Sequence, residues 1–122
     1  MNHKDSAVEF VKLCASNHVR EAYERFVGPD FRHHNPWFRG DAASLQEGMA
    51  QSAAKNPGKI FEVKQAIAEG ERVAVHSHLR MDAQDRGMAV VHILRFRDGR
   101  IAEMWDMAMP IPAEILNENG MF

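Results

Sequence analysis

The stretch Ile101–Ala108 carries two carboxylates among apolar residues. Strand alternation would put them on opposite faces: Ile101, Glu103, Trp105 and Met107 on one, Ala102, Met104, Asp106 and Ala108 on the other. Asp is depleted in strands, and a carboxylate out of water is costly unless hydrogen-bonded or protonated. One of the two acids is therefore expected simply to face water. Hairpin register decides which. If Asp98-Gly99 forms a two-residue turn, Arg97 opposes Arg100 and His92 opposes Trp105, on the Glu103 face. If the loop is Arg97-Asp98-Gly99 with Gly99 left-handed, Phe96 opposes Arg100 and His92 opposes Met104. The second register gathers Val90, His92, Leu94, Phe96, Met104 and Asp106, and leaves Arg95, Arg97, Glu103 and Trp105 opposite. It separates apolar from charged side chains better and is the expected one. Asp106 and His92 then share a mostly apolar concavity, with Met104 in its wall.

A carboxylate so placed suits removal of a proton α to a carbonyl, and return of that proton to an alkoxide. Desolvation raises its pKa towards the working pH. A neutral His92 would hydrogen-bond the developing enolate or orient the substrate carbonyl. The expected ligand is a small hydrophobic carbonyl compound, with no metal and no organic cofactor.

His76-Ser77-His78 offers a rival chemistry, since alternation puts both imidazoles on one face. Gly70 followed by this pair resembles the first half of a cupin metal motif. The expected Glu is only approximated by Asp82, however, and the second motif is absent. The expectation is that one of His76 and His78 lines the pocket, with His34 near its wall. Cys14, on an apolar helix face, reads as inert core. Phe31, Trp37 and Phe38 read equally as a pocket lid or as a plug at one end of the fold.

The elements that must position these groups fall into a helical first half and a strand-rich second half. Ser6 with Glu9 makes a capping-box signature before an apolar stripe, predicting a helix over 6–17. Spacings of three and four from Val19 to Val27 predict a second helix, ended by Gly28-Pro29. Asp41 reads as the N-cap of a third, over 41–55. After Gly58 the period changes to two. Four strands are predicted, with turns at Glu69-Gly70-Glu71, Asp82–Gly87 and Asp98-Gly99. The fold class is α+β, a cone-shaped, curved antiparallel sheet packed against three N-terminal helices.

Composition bounds the partners. The 122 residues fit one domain, 1–122, with 45% hydrophobic and 26% charged residues. A net charge of −2 and the lack of any basic run argue against nucleic acid and anionic membrane as partners. One cysteine cannot make an internal disulfide, and the residues after Met1 lead into an amphipathic rather than a signal-like pattern. A cytoplasmic enzyme or binding protein is expected. Trp105 and Met107, apolar on the convex face, predict a homodimer.

The string Ile93-Leu94-Arg95-Phe96-Arg97-Asp98-Gly99-Arg100-Ile101-Ala102-Glu103-Met104-Trp105-Asp106 resembles the closing hairpin of the SnoaL-like polyketide cyclases. His34-Asn35-Pro36 is similar to the family's H-N-P segment, and Gly70-x-x-Val73-x-Val75-His76 to its central strand. The resemblance covers most of the chain, from the first helix to Pro112. It implies that Asp106 is the general acid/base of an intramolecular aldol closure. It also implies that His92, fourteen positions earlier, lies in the pocket. Two other readings stand beside it: a non-catalytic binding module of the same fold, as in nuclear transport factor 2 domains, and a metal enzyme using His76 and His78.

Overall fold

The computed structural model describes all 122 residues, Met1–Phe122. Helix α1, His3–Ala15, turns Ala7, Phe10, Val11 and Cys14 inward, the three- and four-residue spacing of a single helix face. It starts about one turn before the expected Ser6. Asn2 caps it instead, accepting from the Asp5 amide at 2.7 Å, so Ser6 falls inside the helix. Helix α2, Val19–Phe26, buries Val19, Ala22, Tyr23 and Phe26. Helix α3, Ala42–Lys55, begins at Asp41 as expected, where the carboxylate accepts from the Ser44 amide and hydroxyl at 2.9 and 2.7 Å. It buries only Leu45 and Ala53 and acts as a cover. No helix is long and apolar enough to cross a membrane.

The strands are β1 (Val27–His33), β2 (Ile60–Glu69), β3 (Arg72–Arg80), β4 (Met88–Arg97) and β5 (Arg100–Pro110). They make one curved, unclosed sheet in the order β1-β5-β4-β3-β2. The last four are the expected antiparallel meander. A fifth strand that the sequence did not suggest, β1, joins the edge of the meander and pairs parallel with β5. Gly28-Pro29 ends helix α2 but does not stop the chain from entering the sheet. Proline is tolerated there because β1 is an edge strand and its register slips between Val27 and Arg32.

The last turn also differs from expectation. Arg97 opposes Arg100, so the loop has two residues, not three. Asp98 and Gly99 have φ of +52° and +78°, the paired left-handed residues of a type I′ turn. Phe96 therefore faces Ile101 rather than Arg100. A bulge follows at once: Arg95 pairs with Glu103, leaving Ala102 as the extra residue on β5. That one residue restores the segregation that the longer loop was expected to supply. Leu94 and Phe96 face inward with Ile101 and Met104, while Arg95 and Glu103 face outward.

The core lies between the helices and the inner face of the sheet, around Phe10, Tyr23, Leu45, Leu94, Phe96 and Met104. Helix α1 runs along it. His3 stacks on Phe96 at 4.5 Å near one end, and Cys14 comes under the influence of the Asp106 charge near the other.

Candidate active site

The bulge sets His92 directly opposite Asp106 on the inner face. His92 Nε2 stands 3.4 Å from Asp106 Oδ1, beyond the roughly 2.7–2.9 Å of a charge-assisted hydrogen bond. The other oxygen, Oδ2, accepts from Asn35 Nδ2 at 2.8 Å. Asn35 is delivered by the turn that follows β1. Its Oδ1 accepts from the Trp37 amide and its own amide donates to His33 Nδ1, both at 3.0 Å. His33 in turn donates from Nε2 to the Arg39 carbonyl, so this buried ring braces both ends of the turn.

Burial falls along the inner edge of β5, from sealed Met104, through half-buried Asp106, to exposed Ala108. The His92 and Asp106 side chains keep 11% and 15% exposure, so the pair stands where the inner face meets solvent. Phe61 lies over His92, ring centroids 6.3 Å apart. Burial pushes His92 below the usual imidazole range against the pull of the Asp106 carboxylate, leaving a neutral ring at pH 7. Cys14 and Tyr23 complete the surroundings. Burial drives both upward, the negative charge of Asp106 adds to it, and both stay protonated. Ser77 Oγ and His92 Nδ1, buried nearby, have no hydrogen-bond partner.

Two surface grooves, of about 350 and 620 Å³, lie at the start of α1 against β2, around Met1, Lys4 and Ala66. Asp106 and His92 line neither of them. Neither groove is the enclosed, mostly apolar concavity expected around Asp106.

The histidines expected at the pocket wall, His34 and one of His76 and His78, all face away from Asp106. His34 lies on the outer side, stacked on Trp105 at 5.1 Å with Nε2 2.7 Å from Glu103 Oε2. Neighbours on extended backbone point to opposite sides, so Asn35 takes the inner place and His34 cannot. His76 and His78 face outward for the same reason, because Val73, Val75 and Ser77 fill the inner positions of β3. His76 Nδ1 meets Gln65 Nε2 at 3.1 Å, His78 Nε2 donates to the Arg86 carbonyl at 2.8 Å, and Phe122 packs on both rings. No three His, Cys, Asp or Glu side chains converge as metal ligands. Met104 does lie on the Asp106 face, sealed beneath it. Phe31 is core, Trp37 is exposed, and Phe38 rests on Gly48 of α3.

Glu103 is the acid on the outer face, yet it does not simply face water. Arg32 grips it at 2.9 and 3.2 Å, and Arg95 and His34 hold it at 3.2 and 2.7 Å. Arg32 foremost, then His34 and Arg95, bring its pKa down to about 2 against the opposing effect of burial.

The SnoaL-like domain family matches residues 7–104. The chain belongs to that family. Among solved structures it is similar to AclR, a hydroxylase candidate from Streptomyces galilaeus, at 24% identity and a TM-score of 0.71 over 88% of each chain. An isomerase candidate of the SnoaL-like family from Agrobacterium tumefaciens is 14% identical, with a TM-score of 0.72 over 89% of this chain and 99% of that one. A polyketide cyclase candidate from Acidithiobacillus ferrooxidans is 18% identical, with a TM-score of 0.69 over 87% of each. No curated protein sequence matches.

The likeness to these structures shows the fold alone, and the SnoaL-like fold hosts more than one chemistry. The family match also stops at Met104, short of Asp106. The case for this member's site therefore rests on its own geometry. The sequence reading passed over two residues of that site, Asn35 as a ligand of Asp106 and Ser77 as the inward residue of β3. Alternation from Val73 and Val75 was signal enough for Ser77.

Proposed function

We propose that this SnoaL-like domain is an enzyme that transfers a proton α to a carbonyl of a small hydrophobic compound, without a cofactor. Asp106 is the base and then the acid. One observation carries the reading: a carboxylate at the solvent edge of the inner face is held by a neutral amide and faces a neutral imidazole. Glu103, gripped by two arginines, is too weak a base for the task, whereas Asp106 has no cation against it. In the aldol form, Asp106 takes the α-proton and the C–H electrons pass into an enolate. The enolate carbon then bonds to a second carbonyl carbon, and the alkoxide recovers the proton from Asp106. Asn35 fixes the carboxylate and His92 orients the substrate oxygen. Neighbours described as isomerase and cyclase candidates support this reading by analogy. So does the sealed, unpaired Cys14 for a cytoplasmic location.

The test follows the α-protons of aryl methyl ketones and 1,3-diketones in D2O by NMR. The parent is expected to accelerate exchange of at least one. Asp106→Asn should slow it by about 10²–10⁴-fold at an unchanged melting temperature. If Asp106→Asn exchanges as fast as the parent, the carboxylate is structural. The domain then binds small molecules without catalysis, a reading the two unpartnered polar atoms nearby would favour.

A further inference from the structure

Ser77 Oγ and His92 Nδ1 are sealed from solvent and bonded to nothing in the protein. The great majority of buried polar atoms find a partner, so two orphans on the same face of the sheet call for an occupant. Across β3 and β4, Val75 opposes His92 and Ser77 opposes Val90. Ser77 and His92 thus stand one diagonal step apart on the same face. Asp106, opposite His92, continues the row onto β5.

The proton positions define what fits. The His92 ring is neutral, and its Nε2 faces the Asp106 carboxylate at 3.4 Å. The single ring proton belongs on that nitrogen, so Nδ1 presents a lone pair. The Ser77 hydroxyl can donate or accept. An acceptor beside a hydroxyl suits a group that gives one hydrogen bond and takes another. We propose that Ser77 and His92 form a subsite for a hydroxyl on the substrate, its O–H donating to His92 Nδ1 and its oxygen accepting from Ser77. This rests on Asp106 as the base, and it narrows the substrate class to hydroxylated or enolic carbonyl compounds. A ketone oxygen cannot fill the place, because it has no proton to give Nδ1. A structural water can, and it is the competing occupant.

Calorimetry on the full chain with acetophenone and its 2′-, 3′- and 4′-hydroxy isomers separates the two. The parent is expected to bind at least one hydroxylated isomer about tenfold more tightly than acetophenone, the worth of one or two hydrogen bonds. Ser77→Ala should erase that preference and leave acetophenone binding unchanged. Ser77→Cys, which keeps the volume but bonds weakly, should reduce it. A parent without preference, whether all four ligands bind alike or none binds, overturns the proposal. So does a Ser77→Ala protein that keeps the preference, which is the result a structural water predicts. The Asp106→Asn variant keeps the two readings apart. Preference lost in Ser77→Ala, with exchange intact in Asp106→Asn, would leave the hydroxyl subsite standing and remove the catalytic role.

Discussion

Glu103 is held by Arg32, Arg95 and His34, whereas Asp106 meets only the Asn35 amide and the His92 ring. The folded pKa of Glu103, about 2, lies below its ordinary 4.5, so on acidification the unfolded chain takes the proton first. Stability from Glu103 is complete above pH about 4.5 and is lost as pH falls towards 2. Urea midpoints of Glu103→Gln should therefore change less with pH across that window than those of the parent. Parallel curves would show that the ion pairs contribute nothing. Residue identities were legible here only as far as each residue's face was. Apolar neighbours placed Asp106 and His92 on one face as expected, but the bulge at Ala102 puts them there, not the three-residue loop that this segregation suggested. His34, His76 and His78 drew attention by side-chain type, yet the alternation of Val73 and Val75 already turned the two β3 histidines outward.

At the level of elements, the turn after β1 delivers Asn35 to Asp106, and α3 supports that turn through Phe38. A Cβ on Gly48 would lie 2.2 Å from the Phe38 ring. Gly48→Ala should favour the helix intrinsically but push Phe38, and Asn35 with it, out of place. Ketone α-proton exchange should fall, by up to about 10²-fold for an ångström of displacement, while the helical circular dichroism is kept. Exchange at the parental rate would mean that the turn is held by His33 alone. The helices and the meander were readable because their periods of 3.6 and 2 are long and regular. Strand β1 was not, since Gly28-Pro29 interrupts any pattern and half of the strand pairs irregularly. The bulge at Ala102 leaves no mark on composition, and only the pairing shows it.

On the scale of the whole molecule, the outer face of the sheet leaves Met107 and Met109 at 50% and 57% exposure, at the far end from the Glu103 cluster. Sedimentation at micromolar concentration is expected to find a dimer, and Met107→Asp a monomer with the parental circular dichroism. A monomeric parent would remove the dimer and leave the fold intact. The α+β class was legible because the chain changes period once, near Gly58. Long-range parallel pairing leaves no comparable trace. That pairing bears on how the protein is made. Val27 meets Ile101 in the sheet, and Asn35 reaches Asp106 across 71 residues. Hairpins of the meander can zip from their own turns, but contacts this distant must first bear the entropy of closing most of the chain. During synthesis Asn35 leaves the ribosome long before its partner exists. Its bond to Asp106 awaits the last hairpin, so competence for chemistry would report that folding is finished.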